Sequence, residues 1–167
     1  MRNFVGLLLL VAICAASSGC LRVVTKVDDL ATNHDQVESF TADRPFGEVH
    51  TIIDDDATKC WSSVTSGQMM PTGSGYVVAG SGIKRIVEDR MIEPGRSATV
   101  DVVVKAFWPL PPESYILRAD IKARGPSETE VTTYNADSNK GQRAFHRQVH
   151  RWVVDGVADC SGMGPFD

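Results

Sequence analysis

The chain has 167 residues, with 17 basic and 21 acidic side chains and a formal charge of −4. That length holds one domain with a core of its own. The acidic balance excludes the basic footprint of nucleic-acid binders, so no nucleic acid is expected among its partners.

In chain order, the first signal is an apolar run. Arg2 is the only charge before Arg22, the run spans Phe4 to Ala16, and Ser17-Ser18-Gly19 lead to Cys20. A positive start, roughly 7–15 apolar residues and small residues before a cut describe a secretory signal peptide. The run is shorter than the roughly 20 apolar residues of a bilayer-spanning helix. Small-small-Gly-Cys at its end resembles the lipobox of bacterial lipoproteins, with Ser17 where leucine is usual.

This resemblance covers residues 1–20 only. It implies removal of 1–19 as a lipoprotein signal peptide, a diacylglyceryl thioether on Cys20, and an acyl group such as palmitate on the new N-terminus. The membrane is then a partner through those acyl chains. Each buried CH₂ contributes about 0.8 kcal/mol, so two or three chains make the attachment effectively permanent. In that family an Asp after the cysteine favours the inner membrane. Leu21-Arg22 stands here, which implies the outer membrane, facing the periplasm.

Cleavage leaves 148 residues, with 16 basic against 21 acidic side chains and, beyond Cys20, only Cys60 and Cys160. In an oxidising compartment such a pair is most simply a disulfide. A metal pair and a redox pair are the alternatives, and the chain has no Cys-x-x-Cys. Closing a loop of about 100 residues stabilises by roughly 4.7 kcal/mol in the chain-entropy model.

Residues 20–36 are polar and mixed, and read as a lipidated N-terminus and tether; 37–167 read as a single globular domain. Val37–Thr41 forms a short strand, with Val37, Ser39 and Thr41 on one side. Asp43 is a cap candidate and Pro45 suits a first helical turn. Phe46, Val49, Ile53, Ala57 and Cys60 recur at helical spacing, predicting a helix from Pro45 to Lys59. Ser66-Gly67 and Pro71 to Gly75 punctuate loops around a strand at Tyr76–Ala79.

Ile83–Ile92 and Ser97–Phe107 flank Glu93-Pro94-Gly95-Arg96, a type II turn pattern that predicts a hairpin. Ala98, Val100, Val102, Val104 and Ala106 alternate with more polar residues, so one face is buried. Trp108-Pro109-Leu110-Pro111-Pro112 ends the strand. Tyr115, Leu117, Ala119, Ile121 and Ala123 alternate in the next, and Gly125-Pro126-Ser127 turns it into Glu128–Tyr134. A last helix from Gln142 to Asp155 carries Phe145, Val149, Trp152 and Val153 on one stripe, stopped by Gly156.

The expected fold class is α+β, an antiparallel sheet of about five strands with an N-terminal and a C-terminal helix on one face. In element order alone it looks like the helix-grip arrangement, which also occurs in lipoproteins of the outer-membrane assembly machinery.

His146 and His150 lie one helical turn apart, but Arg147-Gln148-Val149 between them lacks the glutamate of a metalloprotease motif. Arg143 and Arg151 stand nearby, so a solvated face rather than a metal is expected. Arg143, Arg147 and Arg151 form a basic ridge, a candidate contact for lipid phosphates or an acidic partner. Asp54-Asp55-Asp56 is an available internal counterpart, and its consecutive carboxylates do not make a calcium loop. Ser62, Ser63, Ser74 and Ser81 lack the context of a nucleophile.

The reading is therefore a non-catalytic, lipid-anchored envelope protein making protein or envelope contacts, with no catalytic residue, metal or cofactor. The alternative is a lipid-anchored binding module with an apolar pocket lined by Tyr76, Tyr115 and Trp152.

Overall fold

The computed structural model describes residues 24–32, 34, 36–65, 68–72, 75–79, 83–106, 113–136 and 140–160. Cys20, the signal segment and Trp108 lie outside the described residues. In chain order the elements are the single turn α1 (Val27–Leu30), β1 (Gln36–Ala42), α2 (Phe46–Trp61), β2 (Ser63–Thr65), β3 (Gln68–Thr72), β4 (Gly75–Ala79), β5 (Ile83–Glu93), β6 (Ser97–Ala106), β7 (Glu113–Gly125), β8 (Glu128–Asn135) and α3 (Lys140–His150). Arg151–Asp155 extends α3 as a π-helical turn.

Alternation of small and branched apolar residues builds β5 to β8 into an antiparallel meander, as the period predicts. β1 pairs with β8 and β2 with β5, so the sheet has six strands in the order β1-β8-β7-β6-β5-β2. The first turn of the meander has the expected geometry: Gly95 has φ 71° and the Arg96 N–H donates to the Glu93 carbonyl at 2.9 Å.

The fold is α+β, with both long helices on one face of the sheet. Phe46, Val49, Ile53, Ala57 and Trp61 of α2 join Phe145, Val149, Trp152 and Val153 in one buried cluster. That cluster rests on Val100, Val102, Leu117, Ala119, Ile121 and Val131 of the sheet. Gly156 ends the last helix with φ 68°, its N–H bonded to the Arg151 carbonyl. Cys60, at the end of α2, is disulfide-bonded to Cys160, with Cα atoms 5.3 Å apart.

Several expectations need correction. Asp43 does not cap α2; Pro45 occupies the N-cap in an extended conformation, without a side-chain cap bond. The stretch at Pro71-Thr72, expected as loop, is strand, with Pro71 opposite Tyr76 in a two-stranded β3–β4 hairpin. Proline reads as a strand breaker because it lacks an N–H, yet both strands of such a ribbon are edges, where proline is tolerated.

The segment expected as a free tether is partly folded onto the sheet. Val24 and Leu30 are buried with Ala136, Tyr115 and Tyr134, on the face opposite the helices. The Tyr115 N–H donates to the Val24 carbonyl at 2.8 Å. Two apolar anchors six residues apart among Lys26, Asp28, Asp29 and Thr32 produce no periodic signal, which is why composition alone suggests a tether.

Tyr115 is also on the other side from the one alternation predicts. Val102 pairs with Leu117 but Val103 pairs with Tyr115, so Ile116 is an extra residue in β7. A bulge of this kind interrupts the pleat. Ile116 and Leu117 both pack on the inner core, and Tyr115 packs on the outer cluster.

Candidate functional site

β1 is an edge strand, paired only with β8 among the described residues. An edge turns alternate N–H and C=O groups away from its one neighbour, ready to pair with another extended chain. The final helix runs beside this edge, and between them lies a groove of about 380 Å³. Glu38, Ser39 and Phe40 form one wall; Arg147, His150 and Arg151 form the other, with Thr133 and His146 also lining it. The Phe40 and His150 rings meet at a centroid distance of 4.9 Å.

The two histidines expected on a solvated face are separated by burial. His150 is exposed, whereas His146 is 3% exposed and hydrogen-bonded through Nδ1 to Thr133 Oγ1. Thr133 has one hydroxyl proton, which goes to the Glu38 carbonyl at 3.3 Å. The network therefore assigns the proton of the shared bond to His146 Nδ1. Its Nε2 is then a buried acceptor without a partner among the described residues. Burial lowers the imidazole pKa, partly opposed by Glu38, so the neutral ring is favoured. The expectation failed because a helical His-x-x-x-His spacing does not record that Thr133 of β8 packs against one ring only.

The basic ridge is also divided. Arg143 lies near the start of α3. Arg147 is exposed at the groove. Arg151 is bound to Asp159 at 2.8 Å, and the same residue receives Gln148 Nε2 at 3.3 Å and, on its carbonyl, Trp152 Nε1 at 3.1 Å. Asp159, not the Asp54-Asp55-Asp56 run, is thus the internal counterpart of Arg151. Asp54 instead sits near Asp89, whose Oδ1 is 2.8 Å from His50 Nε2; burial, then the Asp89 charge, raises the Asp54 pKa.

A second polar centre escaped the sequence reading altogether. On the outer face Asp101 is 1% exposed, 3.2 Å from Arg90 and 3.7 Å from Arg118, which itself bonds Asp120 at 2.7 Å. Burial pushes the Asp101 carboxyl up to about 6, against the two arginines that favour its charge. These partners come from the two strands that flank β6, β5 and β7, so local alternation marks Asp101 only as a solvent-side residue. No group of three His, Cys, Asp or Glu side chains among the described residues is placed to hold a metal.

The pocket expected from Tyr76, Tyr115 and Trp152 is not built from that trio. Tyr115 packs on the outer face, and Trp152, 1% exposed, fills the inner core. The groove at β1 can instead offer an open strand edge, an aromatic wall and cationic groups to an extended chain.

No protein-family model and no curated protein matches the sequence. Among solved structures, a conserved protein from Geobacillus kaustophilus is similar at 15% identity, covering 58% of this chain and 68% of that one, with a TM-score of 0.32. A START superfamily protein from Mycobacterium smegmatis is 12% identical over 60% of this chain and 73% of its own, with a TM-score of 0.26. The Zhui aromatase/cyclase from Streptomyces sp. R1128 is 12% identical over 77% and 89%, with a TM-score of 0.25. At such TM-scores the fold of this chain rests on its own strand order.

Proposed function

We propose that the protein is a non-catalytic, lipid-anchored component of the bacterial envelope, held through Cys20 at the outer membrane, whose β1–α3 groove takes an extended segment of a partner protein. The observation that carries the reading is the open β1 edge lying beside Arg147 and His150. Main-chain pairing along the edge supplies affinity, and the Arg147 guanidinium favours an acidic side chain on the added strand. His146 fits a binding role better than a chemical one, since its proton is committed to Thr133 and its charge is disfavoured.

The anchor has a one-step check: Cys20→Ser abolishes acyl labelling, and persistent labelling would sink that part of the reading. For the groove, a photo-crosslinking residue is placed at Glu38, which is exposed and in register with Thr133, or, as a control on the outer face, at Lys122. The expected result is a defined adduct in cells from position 38 alone, reduced several-fold by Arg147→Ser. Equal adducts from both positions would remove the groove from consideration. A co-purified apolar small molecule detected by mass spectrometry, with no adduct, would favour the ligand-binding alternative.

A further inference from the structure

We infer that the domain is held directly against the lipid surface, with the sheet end formed by the start of β5, the end of β6 and the start of β7 facing the bilayer. This rests on the anchor reading of Cys20. A tether reaching to Val37 would let the domain stand about 60 Å from its lipid, at about 3.3–3.6 Å per residue. The structure removes most of that length. Val24 is already buried, and its carbonyl is bonded to Tyr115, two residues into β7.

Only four Cα steps separate Cys20 from Val24, a reach of about 14 Å at full extension. Val24 therefore stays within about 14 Å of the lipidated cysteine, and its docking keeps the edge of the sheet equally close. The docking is double: the hydrogen bond fixes Val24, and Leu30, fully buried, fixes the segment again six residues on. Tyr115 lies beside the row of paired residues Lys84, Lys105 and Glu113, which marks the end of the sheet nearest the anchor. Lys122 pairs with Ser97, eight residues from Lys105 along β6, so it is about 26 Å from that row at a rise of about 3.3 Å per residue. A lipid surface is thus the partner of one end of the sheet.

The test uses the full lipidated chain in vesicles of phosphatidylethanolamine and phosphatidylglycerol carrying a nitroxide headgroup. A fluorophore is placed on Lys84→Cys or on Lys122→Cys; both lysines are exposed, so either variant keeps the fold. Quenching several-fold stronger at Lys84 than at Lys122 is expected. Insertion of ten Gly/Ser residues between Arg22 and Val23 should erase the difference. Equal quenching without the insertion, on chains that float with the vesicles, overturns the orientation and leaves the anchor standing. Chains that do not float overturn the anchor, and the orientation with it.

Discussion

The two faces of the central strands are built from alternate residues of the same strands, yet they are stabilised in different ways. On the inner face Val100, Val102, Leu117, Ala119 and Ile121 meet two helices that bring Trp61, Phe145 and Trp152. On the outer face Thr99, Asp101, Val103 and Arg118 are just as buried, but the cover is the folded N-terminal segment and a chain of ion pairs. Apolar burial stabilises in proportion to area, about 25 cal/mol per Å². A buried ion pair roughly cancels its own desolvation, so it contributes little net while being costly to break. The inner face thus supplies most of the stability, and the outer face fixes which strands and which N-terminal residues meet.

The strongest break in that comparison is Trp152→Ala, expected to cost about 3–5 kcal/mol through lost burial and the cavity left behind. Urea denaturation of the whole domain reads it directly; a cost under about 1 kcal/mol would mean that the inner face is not the stability centre. Leu30→Ala should be milder, about 2–3 kcal/mol, at the lower end for a buried leucine because its cluster is small. Its signature is local: the Tyr115 amide should exchange several-fold faster while amides of β6 stay protected. Uniform acceleration would show that the outer cover is part of the same cooperative unit.

The third test concerns pH. In the folded state Asp101 keeps its proton up to about pH 6, whereas the unfolded carboxyl releases it near 3.8. The fold binds more protons between these values, so this group makes stability fall as pH rises from about 4 to 6 and stay level above. His146 acts oppositely. Its folded pKa is lowered from 6.5, so its contribution is present above that value and fades as pH falls through the window below it. Asp101→Asn should delete the first slope and leave the second. A carboxyl titration by NMR centred near 4 would contradict the burial argument.

The meander was legible because its signals are local. Alternation in β6, the Pro94-Gly95 turn and the Phe145-Val149-Trp152-Val153 stripe each need only neighbouring residues to be read. What was not legible depends on partners far along the chain. Nothing near Val24 or Leu30 announces Tyr115, Tyr134 and Ala136; nothing near Asp101 announces Arg118. The bulge at Ile116 exists only as a mismatch with β6, so it turns Tyr115 to the other face without any residue that marks it. The candidate groove was half visible: Arg147 and Arg151 stood out on a helix, while Glu38, Ser39 and Phe40 sat in a strand whose neighbour could not be known. Asp159, which claims Arg151, lies past the glycine that ends the helix.

The bridge between Cys60 and Cys160 has a topological consequence. Its ring contains every strand from β2 to β8 together with α3. One backbone cut at any turn inside that ring opens the loop without separating the halves, so the nicked chain remains a single covalent molecule. The N-terminal segment, β1 and most of α2 lie outside the ring and have no such insurance. A protease cutting before Cys60 detaches them covalently at once, leaving only their packing and β1's pairing with β8 to hold them in place.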